Sequence, residues 1–179
     1  VSSAMSGVTN ELIRKSRKIS KNFVNSEYDV LVSSGEQVAC SLIAGRLLHK
    51  GFKSRSWLAW QIPIFTNGIH KNSRIYEIAK KKITNYIKEG GIPIIAGFQG
   101  INSQERITTI GRGGSDASAI MIAKFFKAQR CIIYTDVEGI YTTDPNKLKK
   151  ANKIKIISYE EMLEMASLGS KVMQPVSIQ

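Results

Sequence analysis

Residues 111–116 read Gly-Arg-Gly-Gly-Ser-Asp and combine the residue types that hold a small anion. The glycines let the backbone approach a ligand closely, and unpaired N–H groups at the start of a helix from Ser115 offer an anion site. Arg112 adds a planar fork that matches two carboxylate or phosphate oxygens. Asp116, at the positive end of that helix, pairs with an ammonium group or orients a charged neighbour. The alternative is a glycine-rich turn with capping residues, and these six residues alone do not decide between the two.

Two common phosphate-binding motifs do not account for this loop. The chain contains no Gly-Lys-Ser or Gly-Lys-Thr, so the Walker A motif is absent. The dinucleotide motif Gly-x-Gly-x-x-Gly also fails, because Asp116 stands where the third glycine belongs. An anion held here is bound by another type of loop.

Two further polar segments are candidates for ligand binding. Glu36, in Ser-Ser-Gly-Glu-Gln at residues 33–37, is predicted to lie in the first turn of a helix, where it either caps that helix or binds a substrate ammonium group. Residues 135–147 follow a predicted strand and alternate polar residues with glycine. This segment suits a loop that wraps a nucleotide, with Tyr141 against the base or ribose; an ordinary long loop is the alternative.

Hydrophobic spacing along the chain predicts strands that alternate with helices. The predicted helices cover residues 10–23, 38–51, 74–91 and 115–128, and a last helix begins at a capping box of Ser158 and Glu161. The predicted strands cover residues 28–32, 54–62, 92–98 and 130–137, with loops at 33–37 and 99–114. This order predicts an α/β fold, a three-layer α/β/α sandwich with a mostly parallel central sheet. The three polar loops are then expected to converge where ligands bind in such folds, at the carboxyl ends of the strands.

Composition bounds the class of protein. A chain of 179 residues with 42% hydrophobic residues is expected to form one globular unit. The net charge of +12 is compatible with nucleic acid, an anionic membrane or an anionic small substrate. The lysines are spread over several segments without interleaved aromatic residues, which favours solvated helix faces and no nucleic-acid partner.

The cysteines and the apolar segments indicate the compartment. Cys40 and Cys131 lie in separate segments predicted to be regular structure, so we expect reduced core thiols without a disulfide or a metal site. We predict no signal peptide, no transmembrane helix and no membrane partner. Together these features favour a cytoplasmic protein.

Five segments taken together resemble the aspartate kinases of the amino-acid kinase superfamily, in order and spacing. They cover nearly the whole chain and comprise Ser-Gly-Val-Thr-Asn at 6–10, Ser-Ser-Gly-Glu at 33–36, Gly-Arg-Gly-Gly-Ser-Asp at 111–116, residues 134–145 and residues 164–175. Acetylglutamate, glutamate-5 and uridylate kinases share the superfamily architecture. The combination of the first three segments favours aspartate over their substrates.

The resemblance implies roles for individual residues. The amino acid would be bound by Thr9 and Glu36, and its carboxylate by Arg112, Gly113, Gly114 and Ser115. Asp116 would organise charge around the phosphates, and with Lys171 it forms the implied catalytic pair. The implied ATP-binding set comprises Thr135, Asp136, Tyr141, Asn146, Ser170 and Lys171.

The resemblance also implies an activity: ATP-dependent phosphorylation of the side-chain carboxylate of L-aspartate to 4-phospho-L-aspartate, the first step towards lysine, threonine and methionine. The implied cofactors are ATP and Mg²⁺, and the full-length protein is expected to be a homodimer. The carboxylate of aspartate is already ionised near neutral pH, so its attack on the γ-phosphate needs no general base. Catalysis reduces to alignment and charge stabilisation.

The sequence departs from the family pattern at several points. The family strand that ends in Lys-Phe-Gly-Gly-Thr-Ser is not in the chain, and no regulatory ACT domain follows, so we expect residues 1–179 to be one amino-acid kinase domain truncated at both ends. Asn146 stands where the family has arginine, and Lys147 is a partial replacement. The family's Thr-Asp reads Thr66-Asn67 here, and we assign it no role.

Two alternative functions remain open at this point. The first is a catalytically impaired remnant that acts only as a binding or oligomerisation partner, motivated by Asn146 and the missing lysine segment. The second is a nucleic-acid-binding module driven by the net charge of +12, whose affinity would fall steeply with salt.

Overall fold

The computed structural model describes residues 1–111, 113–135, 139, 141–142, 150–158 and 161. The helices of this part of the chain are α1 Val8–Ile19, α2 Asn25–His49, α3 Lys81–Lys88 and α4 Gly114–Phe125. Its strands are β1 Ser54–Trp57, β2 Ile64–Thr66, β3 Ile75–Ile78, β4 Ile92–Ile95, β5 Gln99–Ile101 and β6 Ile107–Thr109.

The strands form two sheets. β1 and β4 pair in parallel, and Ser2 continues this sheet through a parallel bridge to Ala96. The other sheet has the order β3-β2-β5-β6 and is mixed: β2 and β5 are parallel, and the β2–β3 and β5–β6 pairs are antiparallel. Helix α2 packs against β1, β4 and β6, and α4 packs against β3 and β5. The α/β class predicted from the sequence is therefore confirmed.

One long helix replaces the strand and loop predicted over residues 28–37. Helix α2 runs without a break from Asn25 to His49, so both predictions are wrong. Three serines of α2 satisfy their hydroxyl groups inside the helix, for example Ser33 and Ser34, which donate to the carbonyls of Val30 and Leu31 at 3.0 and 2.7 Å. Burial against both sheets outweighs the β preference of the valines in this segment.

The prediction of one helix over residues 74–91 is also wrong in its first part. Residues 75–78 form β3, an edge strand of the mixed sheet, and the helix is limited to Lys81–Lys88. The loop predicted over 99–114 contains the antiparallel pair β5–β6. The strand predicted over 54–62 ends at Trp57, and residues 130–135 lie in no strand. The strands in these segments are short, and their positions depend on pairing with strands distant in sequence more than on the local hydrophobic pattern.

Other predictions agree with the structure. The helices expected over 10–23 and 115–128 correspond to α1 and α4. The capping box is present, since Glu161 N–H donates to Ser158 Oγ at 3.2 Å and Ser158 N–H donates to Glu161 Oε2 at 2.9 Å. The rest of that last helix lies outside the described residues.

The core is built mainly from isoleucines of both sheets. Ile62, Ile64, Ile78, Ile83 and Ile95 are buried there together with Trp57. Cys40 is buried, but Cys131 is exposed, so its predicted place in the core is wrong. Within the described part of the chain, no helix combines the length and the apolar character needed to cross a membrane.

Candidate functional site

Glu36 lies near the middle of α2, with its residue 3% exposed. The N–H of Ala4 donates to its Oε1 at 3.2 Å, and its Oε2 is enclosed with no hydrogen-bond partner among the residues that the structure describes. Burial raises the pKa of this carboxyl group from 4.5 to about 7. The predicted position in a first helical turn is wrong, so the helix dipole does not stabilise this charge. Among the described residues, the Ala4 N–H is thus the donor to this buried acid, and no cation pairs with it.

Gly35 brings the segment with Thr9 onto the same stretch of α2. A β-carbon at position 35 would lie 3.0 Å from Ala4 Cβ and 3.2 Å from Val8 Cγ1, so this close packing requires glycine. Thr9 follows Val8 in the first turn of α1 and is half-buried. The two residues predicted to bind the amino acid thus lie on elements in direct contact.

The start of α4 reaches the same segment through Gly97. A β-carbon at position 97 would lie 3.1 Å from both Ser115 Cα and the carbonyl oxygen of Ser2. The N–H of Gly97 donates to Ser2 O at 3.0 Å. Ser2 stands two residues before Ala4, the partner of Glu36. Helix α2 at Glu36 and the start of α4 at Ser115 therefore both approach residues 2–4.

The glycine-rich turn before α4 adopts backbone angles that favour glycine. Gly111 and Gly113 have φ angles of 86° and 74°. Gly114 begins α4, and a β-carbon there would lie 2.6 Å from Phe98 Cδ2. The N–H groups of Gly114 and Asp116 donate within the turn, to Gly111 O at 3.0 Å and Gly113 O at 3.1 Å, so fewer N–H groups face a ligand than the sequence suggests.

The two charged residues of this turn differ in what the structure shows. Arg112 lies outside the described residues. Asp116 is half-buried in the first turn of α4, and burial raises its pKa. No described residue forms an ion pair with Asp116. Asp116 is thus a second carboxylate that has no cation among the described residues.

The predicted nucleotide residues are only partly described. Tyr141 is half-buried and forms an antiparallel bridge with Lys153, next to a hydrogen bond from Thr142 N–H to Asn152 O at 2.9 Å. Thr135 is exposed at the end of the irregular segment 130–135. Outside the described residues lie Asp136, Asn146, Ser170 and Lys171.

Sequence analysis missed a buried polar cluster around Asp29, which is also on α2. Its carboxylate meets His70, Lys71 and Thr109, at separations of 41, 42 and 80 residues. The only available signal was an acidic residue in an apolar run, which is weak by itself. The distances in sequence explain why no local pattern identified the cluster.

The family follows from comparison with known proteins. The model of the amino acid kinase family matches residues 1–179, and the chain therefore belongs to that family. Its fold is the amino-acid kinase fold, as the structural neighbours below share it.

Several of the similar proteins are named aspartokinase or aspartate kinase. An aspartokinase from Rickettsia felis is 48% identical over 100% of this chain and 45% of its own length. Aspartokinase III from E. coli, in complex with aspartate and ADP, superposes with a TM-score of 0.83 at 30% identity, over 96% of this chain and 39% of that one. Aspartate kinase from Synechocystis superposes with a TM-score of 0.80 at 40% sequence identity, over 98% of this chain and 29% of that one. The chain spans about half the length, or less, of the curated relatives it matches.

Proposed function

We propose that residues 1–179 form one amino-acid kinase domain, and that the full-length protein transfers a phosphoryl group from ATP to the side-chain carboxylate of L-aspartate. Family membership and the names of the similar proteins support this activity. The observation that carries it is Glu36, a buried carboxylate with a pKa of about 7 and one oxygen that has no partner among the described residues. The α-ammonium group of an amino acid supplies the missing charge and N–H donors.

The remaining roles are proposed on the matching positions of the family motifs. Aspartate is bound by Thr9, Glu36, Arg112, Gly113, Gly114 and Ser115. Asp116 and Lys171 act at the phosphates, and ATP is bound by Thr135, Asp136, Tyr141, Asn146, Ser170 and Lys171. In this arrangement Glu36 holds the ammonium end of aspartate, and Arg112 its carboxylate end by a bidentate contact.

The reaction on these residues needs positioning more than proton transfer. The attacking carboxylate is ionised at neutral pH, so no side chain has to remove a proton from it. Fixing both polar ends of aspartate directs its side chain at the γ-phosphate and lowers the entropic part of the barrier. Asp116, half-buried and without a cation among the described residues, is placed to organise positive charge beside the phosphates.

Mg²⁺ is proposed to enter with the nucleotide. No group of three His, Cys, Asp or Glu side chains within the described ranges can hold a metal ion. Mg²⁺ commonly binds through substrate phosphates and one or two carboxylates instead of a protein cage. When bound, Mg²⁺ neutralises charge on the transferring phosphoryl group.

The remnant alternative is less compatible with the site. A fold kept only to bind another chain gains nothing from a buried, unpaired carboxylate, because such a group lowers stability. The state of Glu36 is expected where a ligand completes the site.

Aspartate-dependent ADP formation by the full-length protein tests the proposed activity. The acyl phosphate product is trapped with hydroxylamine, which distinguishes transfer to aspartate from ATP hydrolysis. L-glutamate, N-acetyl-L-glutamate and UMP serve as control substrates. We expect ADP and hydroxamate in equal amounts with L-aspartate only. Hydroxamate formation that prefers another acceptor, or none with any acceptor, would refute the proposal.

A further inference from the structure

Asp29 is the second buried carboxylate of α2, and unlike Glu36 it has donors at both oxygens. Its residue is 0% exposed. Thr109 Oγ1 donates to Oδ1 at 2.6 Å, and His70 Nδ1 lies 2.6 Å from Oδ2. The N–H of Lys71 lies 3.2 and 3.1 Å from Oδ1 and Oδ2. One carboxylate thus joins α2 to the end of β6 and to the loop before β3.

Contacts with α2 hold Lys71 in an uncommon backbone conformation. Its φ angle is 66°, in the left-handed region that non-glycine residues seldom adopt. Asp29 accepts its N–H, and its ammonium group lies 4.4 Å from the centre of the Tyr28 ring. Asp29 therefore stabilises a backbone conformation of Lys71 that is unfavourable without this contact.

The same loop supports the glycine-rich turn. A β-carbon at Gly111 would lie 3.1 Å from Lys71 O and 3.2 Å from Asn72 Oδ1. The N–H of Ser73 donates to Thr109 O at 2.9 Å, two residues before Gly111. Residues 70–73, here called the support loop, thus lie between Asp29 and the turn at residues 111–114.

We propose that Asp29 is a positioning residue for the substrate site: it fixes the support loop, and the support loop fixes Gly111, next to the proposed carboxylate-binding residues Gly113, Gly114 and Ser115. The binding of the substrate carboxylate by these residues rests on the proposed function. The mechanical coupling between Asp29 and the turn rests on the contacts alone. The two parts are therefore tested separately.

Hydrogen exchange of the full-length protein tests the coupling. Asp29→Asn keeps an acceptor for Thr109 but turns an NH₂ group towards the donors of the support loop. We expect amides in residues 70–73 and 111–114 to exchange at least about 10-fold faster in this variant. The matched control is Glu27→Gln, on the same helix, which loses only an exposed ion pair with Arg106 and should leave both segments unchanged. Faster exchange at 70–73 with no change at 111–114 would overturn the coupling.

Steady-state kinetics test whether the coupling between Asp29 and the glycine-rich turn affects the binding of aspartate. Asp29→Asn should raise KM for aspartate about 10-fold or more and leave KM for ATP within about twofold, because only the amino-acid contact is displaced. Equal increases in both KM values, or a loss in kcat alone, would contradict a positioning role.

If Asp29→Asn fails to fold, His70→Ala is used. The side chain of His70 is 23% exposed, so this substitution removes one donor to Asp29 without opening the core. It should shift KM for aspartate in the same direction by a smaller factor, and no shift would overturn the proposal. A wild-type protein that forms no ADP with aspartate refutes the proposed function instead, and hydrogen exchange still decides the coupling.

Discussion

Replacing Glu36 by glutamine should make the protein more stable and weaken its binding of L-aspartate. Glutamine keeps the length of the side chain and an oxygen that accepts the Ala4 N–H. It removes the negative charge that burial disfavours. Opposite effects on stability and binding are expected when a residue is retained for its ligand and not for the fold.

The size of the stability gain follows from the pKa of Glu36. Folding raises this pKa from 4.5 to about 7, which corresponds to a charge penalty of about 3 kcal/mol above pH 7. The folded state binds the extra proton, so the contribution of Glu36 to stability is fully present below pH 4.5 and is lost as pH rises through about 7. We expect Glu36→Gln to be more stable by about 2–3 kcal/mol at pH 8 and nearly equal to the wild type at pH 4.5.

Urea unfolding at pH 4.5 and pH 8, followed by circular dichroism, measures the difference directly. Both proteins should have the same m-value, so the shift in midpoint reports the free energy of unfolding. A variant less stable than the wild type at pH 8 would show that the folded protein stabilises ionised Glu36, and a gain independent of pH would show that the charge of Glu36 is not its cause; either result would refute the reasoning.

Three further predictions concern the same site. Gly35→Ala should destabilise the protein by about 1–3 kcal/mol in urea unfolding, because the new methyl group would lie 3.0 Å from Ala4 Cβ; an unchanged midpoint would mean that α1 does not pack there. The affinity for L-aspartate should rise about tenfold from pH 6 to pH 8 in calorimetric titration, because the ammonium group binds the ionised form of Glu36, whose pKa is about 7; an affinity independent of pH would contradict this. Arg112→Ala should raise KM for aspartate more than KM for ATP, and an equal or larger effect on ATP would reassign Arg112 to the nucleotide.

Local patterns predicted the elements that depend mainly on local interactions. Helix α4 begins within one residue of the predicted Ser115, because the glycines before it and the apolar spacing after it mark a helix start. The reciprocal bonds of Ser158 and Glu161 follow from their spacing alone. The binding motifs were also visible in the sequence, since each combines rare residue types at fixed spacing.

Long-range packing determined what the sequence did not predict. Residues 28–37 contain β-branched residues and a glycine, a composition typical of a strand followed by a turn. In the structure, Gly35 instead allows α1 to pack closely against α2. Glu36 is consequently an uncompensated buried acid and not a helix cap. Asp29 has partners up to 80 residues away, and only the folded structure brings them together.

Calorimetric titration of the full-length protein and of its Glu36→Gln variant, each with L-aspartate and with succinate, tests the central claim most directly. Succinate has the two carboxylates of aspartate and lacks the ammonium group. We predict that the variant loses at least about tenfold in affinity for aspartate and nothing for succinate, because only aspartate presents a cation to Glu36. Equal losses for both ligands, or no loss for aspartate, would contradict the assignment of Glu36 to the substrate ammonium group.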